Sequence, residues 1–195
     1  PPLERLPLFS TVARQELAVV RKLVEGRVGA PLAHGAGRAF DAAGALALGL
    51  GRARYEGQVA LALDNAAGAV AAAEADAYPF DVDERREPAE LDLRPLWRAL
   101  AADVAAGAAP GLVSARFHAA LVKAGAALVQ RAAARHGRLP VVLSGGCFQN
   151  ARLAEGILGE LSGSFEVYTH AQVPPGDGGL ALGQALVADA VARRG

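Results

Sequence analysis

The chain has 195 residues, with 20 Lys and Arg against 20 Asp and Glu, one Cys, no Met and one Trp. That length suits a single domain with a sizeable core, and zero net charge supplies no field to gather nucleic acid or an acidic membrane surface, so neither is expected as a partner. A lone cysteine excludes an internal disulfide and a multi-thiolate zinc site, and the expected setting is soluble and cytoplasmic. The Pro1-Pro2 start and the missing methionine suggest a piece of a longer protein.

Roughly a quarter of the residues are alanine, which favours helix. Ser10 or Thr11 is expected to cap a first helix reaching Gly26, with Leu17, Val20, Leu23 and Val24 on one face. A loop containing Pro31, His34 and Gly35 follows. The run Gly37 to Leu50 is apolar nearly all round, as a buried helix is, and Tyr55 to Ala66 forms the next helix. Between Tyr78 and Leu93, YPFDV and LDL are short strands on either side of the charged tip DERREPAE. Helices are then expected from Pro95 to Ala106 and from Pro110 to His136, the second with proline at a harmless N-terminal position.

After residue 136 the pattern changes. LPVVLSGG and FEVYTH are strands, each followed by a glycine-rich turn and a helix, FQNARLAEGILGEL and LALGQALVADAVARR. This order implies parallel strands with crossover helices, an α/β fold whose functional edge lies at the carboxyl ends of the strands.

Two turns there carry the chemistry. SGGCFQN, with Gly145 and Gly146, either lets backbone N–H groups approach a phosphate or simply turns the chain tightly. In PPGDGGLALGQA, Asp177 stands between glycines as an open carboxylate for a hard cation or a ligand hydroxyl, or else caps the last helix. A rival reading makes Cys147 a nucleophile lowered in pKa by a helix N-terminus, with His170 as its base, or else a small buried side chain. The histidines at 34, 118, 136 and 170 lack zinc spacing, and His118 beside Phe117 suits a packed or a surface position better than a ligand's.

LSGGCFQNARLAEGILGEL and VYTHAQVPPGDGGLALGQA resemble the carboxyl-terminal end of the HypF family of hydrogenase-maturation carbamoyltransferases. GRAFDAAGALALGL with YEGQVALAL, and ARFHAALV, are similar to further blocks of that family in the same order. The resemblance implies the second lobe of an actin-like ATPase (ribonuclease H-like) domain with extra helices, residues 1–76 being interlobe helices and 77–195 the α/β lobe. It places the SGG run of Ser144, Gly145 and Gly146, with Asn150, near the phosphates and adenosine of ATP or of the AMP moiety of a carbamoyl adenylate. Asp41, Glu56 and Gly57 fall near the ribose. Arg38 guides phosphate or pairs with Asp41 one helical turn on. Asp177 becomes a ligand to a divalent metal, whether iron, zinc or magnesium. His34 and Gly35 depart from the small hydroxyl residues expected before Arg38.

The family chemistry so implied takes carbamoyl phosphate and ATP to a carbamoyl adenylate and passes the carbamoyl group to the carboxyl-terminal cysteine of a HypE-type partner. The paired metal histidines of the family belong to the other lobe, so this piece is expected to be inactive without the remaining domains. The alternatives are an O-carbamoyltransferase acting on a small-molecule hydroxyl and a non-catalytic nucleotide-binding or interaction lobe.

Overall fold

The structure, a computed structural model, describes residues 2, 5–26, 28–29, 33–68, 70, 75–85 and 88–193. Pro31 of the expected loop, Arg86 and Glu87 of the charged tip and Arg194 at the end of the last expected helix lie outside them. Two compact units divide the chain, Pro1–Ala120 and Leu121–Gly195. This division falls inside one long helix and is of a different kind from the lobe boundary expected near residue 76.

The first unit begins with a short helix α1, Pro7–Ser10, followed by α2, Arg14–Gly26. Ser10 and Thr11 do not cap α2. Their hydroxyls donate to the carbonyls of Pro7 and Leu8 at 2.7 and 2.8 Å, and so close α1 from its C-terminal side. Proline at the first position of α1 lets the chain turn helical earlier than the apolar periodicity indicates. Helix α3, Ala36–Leu48, ends on Gly49 at φ +68°, a left-handed C-cap that glycine adopts without penalty. Helix α4 covers Gln58–Ala67 and not the expected Tyr55 start, because Tyr55, Glu56 and Gly57 form a turn with Gly57 at φ +79°.

The core of this unit joins α3 and α4 to α5, Arg94–Ala105, and to the first half of α6, Pro110–His136. Phe40, Ala43, Leu63, Leu96, Leu100, Val113 and Phe117 are buried there. Gly44 brings α3 against α4 so closely that a Cβ would lie 2.7 Å from both Val59 Cγ1 and the Val59 carbonyl. Phe117 takes Phe40 edge-on at 5.2 Å between centroids and tilts against Trp97 at 6.1 Å. His118 is buried, the packed one of its two expected settings, its Nδ1 2.8 Å from the Ser114 carbonyl and its Nε2 3.5 Å from Asp64. The expected hairpin is present: β1, Asp81–Asp83, pairs antiparallel with β2, Glu90–Asp92.

In the second unit β3, Val141–Leu143, and β4, Val167–Thr169, pair in parallel through the crossover helix α7, Ala151–Leu161, and α8, Leu180–Ala192, follows β4. Leu143, Leu153, Ile157 and Leu161 form its core with Val122, Ala124 and Ala126 from the second half of α6. Gly125 and Gly156 admit Ile157 and Val122 to close contact, the latter so tightly that a Cβ on Gly156 would lie 2.6 Å from Val122 Cγ2. Among the described residues α6 is the one helix long and apolar enough to cross a membrane, and 44% of its most apolar stretch is buried inside the protein. A helix packed to that extent is a core helix.

Candidate functional site

The carboxyl ends of β3 and β4 lead into two glycine-rich turns that lie against each other. Gly145, at φ +109° and ψ 157°, occupies backbone space open to glycine alone, and its N–H donates to the Pro175 carbonyl at 2.8 Å. Gly176 packs so close to the first turn that a Cβ there would lie 2.8 Å from Gln149 Nε2 and 3.3 Å from Gly146 Cα. Gly179 is held as tightly, 2.9 Å from the Pro174 carbonyl to where its Cβ would stand. The double glycine is therefore more than a turn within one segment: it sets the close approach of the second glycine turn to the first.

Gly146–Gln149 form one turn of 3₁₀ helix, and Asn150 then caps α7, its Oδ1 accepting the Leu153 N–H at 2.9 Å. Asn150 thus has a structural duty that sequence reading did not assign. Asp177 is exposed in the second turn, and the N-cap of α8 is Gly179, with no side-chain cap, so the capping alternative for Asp177 is set aside. Among the described residues no three His, Cys, Asp or Glu side chains gather as metal ligands. One carboxylate is far short of the six to eight oxygens a hard cation such as calcium collects, so the described residues do not fit a complete metal centre.

The hydrolase reading of Cys147 is overturned by the same geometry. His170 is turned to Ser144, with Nε2 2.9 Å from Oγ, and the Cys147 thiol lies half-buried in the 3₁₀ turn, four residues before α7 starts. Burial pushes that thiol up from its ordinary pKa, the opposite of what an activated nucleophile needs. A hollow of about 760 Å³ opens beside the pair, lined by Ser144, His170, the Pro174–Gly176 segment and the apolar first half of α8.

In the first unit the remaining sequence-read residues come together. Arg38, Asp41, Glu56 and Gly57 line one hollow of about 260 Å³, together with Arg52 and Tyr55. Arg38 forms an ion pair with Asp41 at 2.9 Å, one helical turn on, as the spacing predicts. Gly35 is the N-cap of α3 and offers no side-chain acceptor, which a hydroxyl residue would supply. Arg52 was missed in sequence reading and Tyr55 was read only as the start of a helix, while Ser144 entered as part of the SGG turn and His170 as a base for Cys147, not as partners of each other.

The chain matches the family model described as "Carbamoyltransferase, Kae1-like Domain, second subdomain" over residues 3–184. It is 39% identical to the carbamoyltransferase HypF of Rhodobacter capsulatus across 88% of this chain and 22% of that protein. A HypF homolog of Cupriavidus necator is 36% identical across 92% of this chain and 46% of the relative. Among solved structures, full-length HypF in its phosphate- and nucleotide-bound form superimposes with a TM-score of 0.85 and 30% identity, over 94% of this chain and 24% of that one. The HypF of T. kodakarensis gives 0.68 and 26%, over 89% of this chain and 22% of that one. The chain spans between about a fifth and a half of the proteins it resembles. With its α/β architecture and match over nearly all its length, the chain belongs to the HypF carbamoyltransferase family, in which it corresponds to the second subdomain of the Kae1-like domain, an actin-like ATPase lobe.

Proposed function

We propose that this chain supplies nucleotide contacts to a carbamoyltransferase that consumes carbamoyl phosphate and ATP and delivers the carbamoyl group to the carboxyl-terminal cysteine of a HypE-type protein. Family membership supports the carbamoyltransferase class, and a relative crystallised with phosphate and nucleotide supports the ligand. The observation that carries the reading within this chain is the hydrogen bond from the Gly145 N–H to the Pro175 carbonyl, because it locks the two glycine turns against each other. In this reading Gly145 and Gly146 admit the phosphates to backbone distance, while Asn150 fixes the start of α7 beneath them. Arg38, Asp41, Glu56 and Gly57, the residues that the family resemblance assigns to ribose, line a hollow of their own in the first unit, where the Arg38 to Asp41 ion pair holds the carboxylate in one orientation.

Joining carbamate to AMP as a mixed anhydride makes an otherwise inert carbonyl carbon electrophilic. The chain's part is to orient that carbon and to exclude the water that would hydrolyse it. Asp177 would contribute one carboxylate to a divalent cation whose other ligands come from outside the described residues. By itself the 195-residue chain is expected to show no carbamoyl-phosphate-dependent ATP turnover.

Calorimetric titration of ATP, with and without magnesium, tests the reading. The parent chain binds. Gly145→Val abolishes binding, because valine cannot hold φ +109°. Asp177→Ala retains binding but loses its magnesium dependence. ATP affinity unchanged in Gly145→Val removes the glycine turns from the site.

A further inference from the structure

The 260 Å³ hollow of the first unit has two walls of different stiffness. One is α3, where Arg38 and Asp41 flank Phe40 in sequence, and Phe40 is buried in the core. The other is the segment from Gly51 to Gly57, every residue of which is exposed, so no buried side chain anchors it. A segment of that kind keeps one conformation through its hydrogen bonds and backbone preferences.

The upstream end of the segment rests on Thr11 and Val12, whose side chains lie 3.3 and 3.5 Å from where a Cβ on Gly51 would stand. Arg52 meets Glu16 at 3.4 Å, but those side chains are 85% and 51% exposed, and a pair so open to water holds little. At the downstream end Gln58, the first residue of α4 and partly buried, folds its side chain back so that Oε1 accepts the Arg54 N–H at 2.6 Å. Its backbone N–H reaches the Tyr55 carbonyl at 3.4 Å, longer than an ordinary N–H···O bond. The side-chain bond is thus the shorter of these two closures of the turn that carries Tyr55, Glu56 and Gly57. Gln58 itself is not part of the lining.

We infer that Gln58 is a positioning residue for a nucleoside: its side-chain carbonyl holds the Tyr55–Gly57 turn in the geometry that puts Glu56 and Asp41 in one hollow. The inference rests on the ribose reading given above and concerns a residue that does not touch the ligand. Two carboxylates accept hydrogen bonds from two sugar hydroxyls only if both stand in place together. Asp41 is fixed by its helix and by Arg38, whereas Glu56 is fixed by the turn. Without the Gln58 acceptor the Arg54 N–H bonds to water, and the turn is closed for a smaller fraction of the time. Apparent affinity falls in proportion to that fraction. One hydrogen bond of ordinary net strength corresponds to about three- to tenfold.

The test is calorimetric titration of adenosine, which carries the ribose without phosphate charge, into the 195-residue chain and its Gln58→Met and Gln58→Glu variants. Methionine keeps the length and helix preference of glutamine without the carbonyl acceptor, and glutamate supplies an acceptor again at the same reach. Gln58→Met should weaken adenosine binding about three- to tenfold, and Gln58→Glu should return it to within about twofold of the parent. Amide hydrogen exchange at Arg54 should quicken by a similar factor in Gln58→Met alone. Urea midpoints should stay at the parent value in both variants, because the segment is exposed and opens locally.

Parent-like adenosine affinity in Gln58→Met overturns the proposal and leaves the ribose reading standing. Weakening that Gln58→Glu does not restore overturns it too, since the acceptor is then not what matters. A loss of affinity matched by an equal loss of unfolding stability overturns it in favour of a purely structural side chain. No adenosine binding by the parent overturns the ribose reading and the proposal together.

Discussion

Tyr78 shows how a single side chain ties the first unit together. It is 1% exposed, its hydroxyl donates to Asp103 at 2.7 Å, and Arg116 both reaches the same carboxylate at 2.6 Å and lies over the ring at 4.5 Å from its centroid. Burial, then the Asp103 hydrogen bond, pushes the phenol well above its ordinary pKa. A raised pKa means the folded state holds the proton more tightly than the unfolded chain. The stabilisation is therefore complete below the unfolded value of about 10 and drains away as pH rises beyond it. Tyr78→Phe should lower stability by about 1–3 kcal/mol at neutral pH and flatten the fall in stability above about pH 10, measured by urea unfolding across a pH series. Equal melts for variant and parent throughout would show that the hydrogen bond contributes nothing net. Comparable pairings decide what the sequence reveals of the site. Arg38 with Asp41 is legible because helix geometry brings residues three apart together. Ser144 with His170 is not, since the two lie 26 positions apart and only the parallel register joins them.

At the scale of elements, the most demanding contact is α3 on α4. Helices that meet through a glycine lie closer than larger side chains permit, and here the Gly44 position faces backbone as well as the Val59 methyl. The methyl can rotate; the carbonyl moves only if α4 moves. Gly44→Ala should therefore cost about 1–3 kcal/mol by overpacking despite the better helix propensity of alanine, whereas Gly37→Ala on the same helix, with open space around it, should stabilise by up to about 1 kcal/mol. Thermal unfolding of the two variants reads both signs, and stabilisation by Gly44→Ala would mean that the two helices are free to part. The long elements, α3, α6 and both βα segments, were legible because their apolar spacing and glycine stops are local signals. The start of α4 was not. YEG satisfies a helix pattern by composition, but Gly57 at φ +79° and the Arg54 N–H donated to Gln58 Oε1 at 2.6 Å make it a turn that delays the helix until Gln58. That delay is what places Glu56 and Gly57 beside Asp41 in one hollow.

At the scale of the whole molecule, the apolar surface is larger than a chain of this size ordinarily leaves in water. Helix α8 is apolar on all sides yet has no buried residue, with Leu180, Leu186, Val187 and Val191 each at least 60% exposed. On α2 the expected face of Val20, Leu23 and Val24 is exposed as well, and only Leu17 is partly covered. Helices of this composition are core helices, and contiguous apolar patches beyond a few hundred Å² mark surfaces that another body covers. Relatives two to four or more times as long have that much more chain with which to cover them. At zero net charge no long-range repulsion keeps copies of the 195-residue chain apart, so it is expected to self-associate as concentration rises. Sedimentation velocity over a hundredfold concentration range should show the weight-average coefficient climbing. Val187→Glu with Val191→Glu should suppress the climb while far-ultraviolet dichroism stays unchanged, because neither side chain is buried in the chain itself. Association undiminished in that double variant would move the sticky surface from α8 to α2. A parent that stays monomeric at every concentration would show that exposed apolar area on these two helices is too dispersed to act as a surface at all.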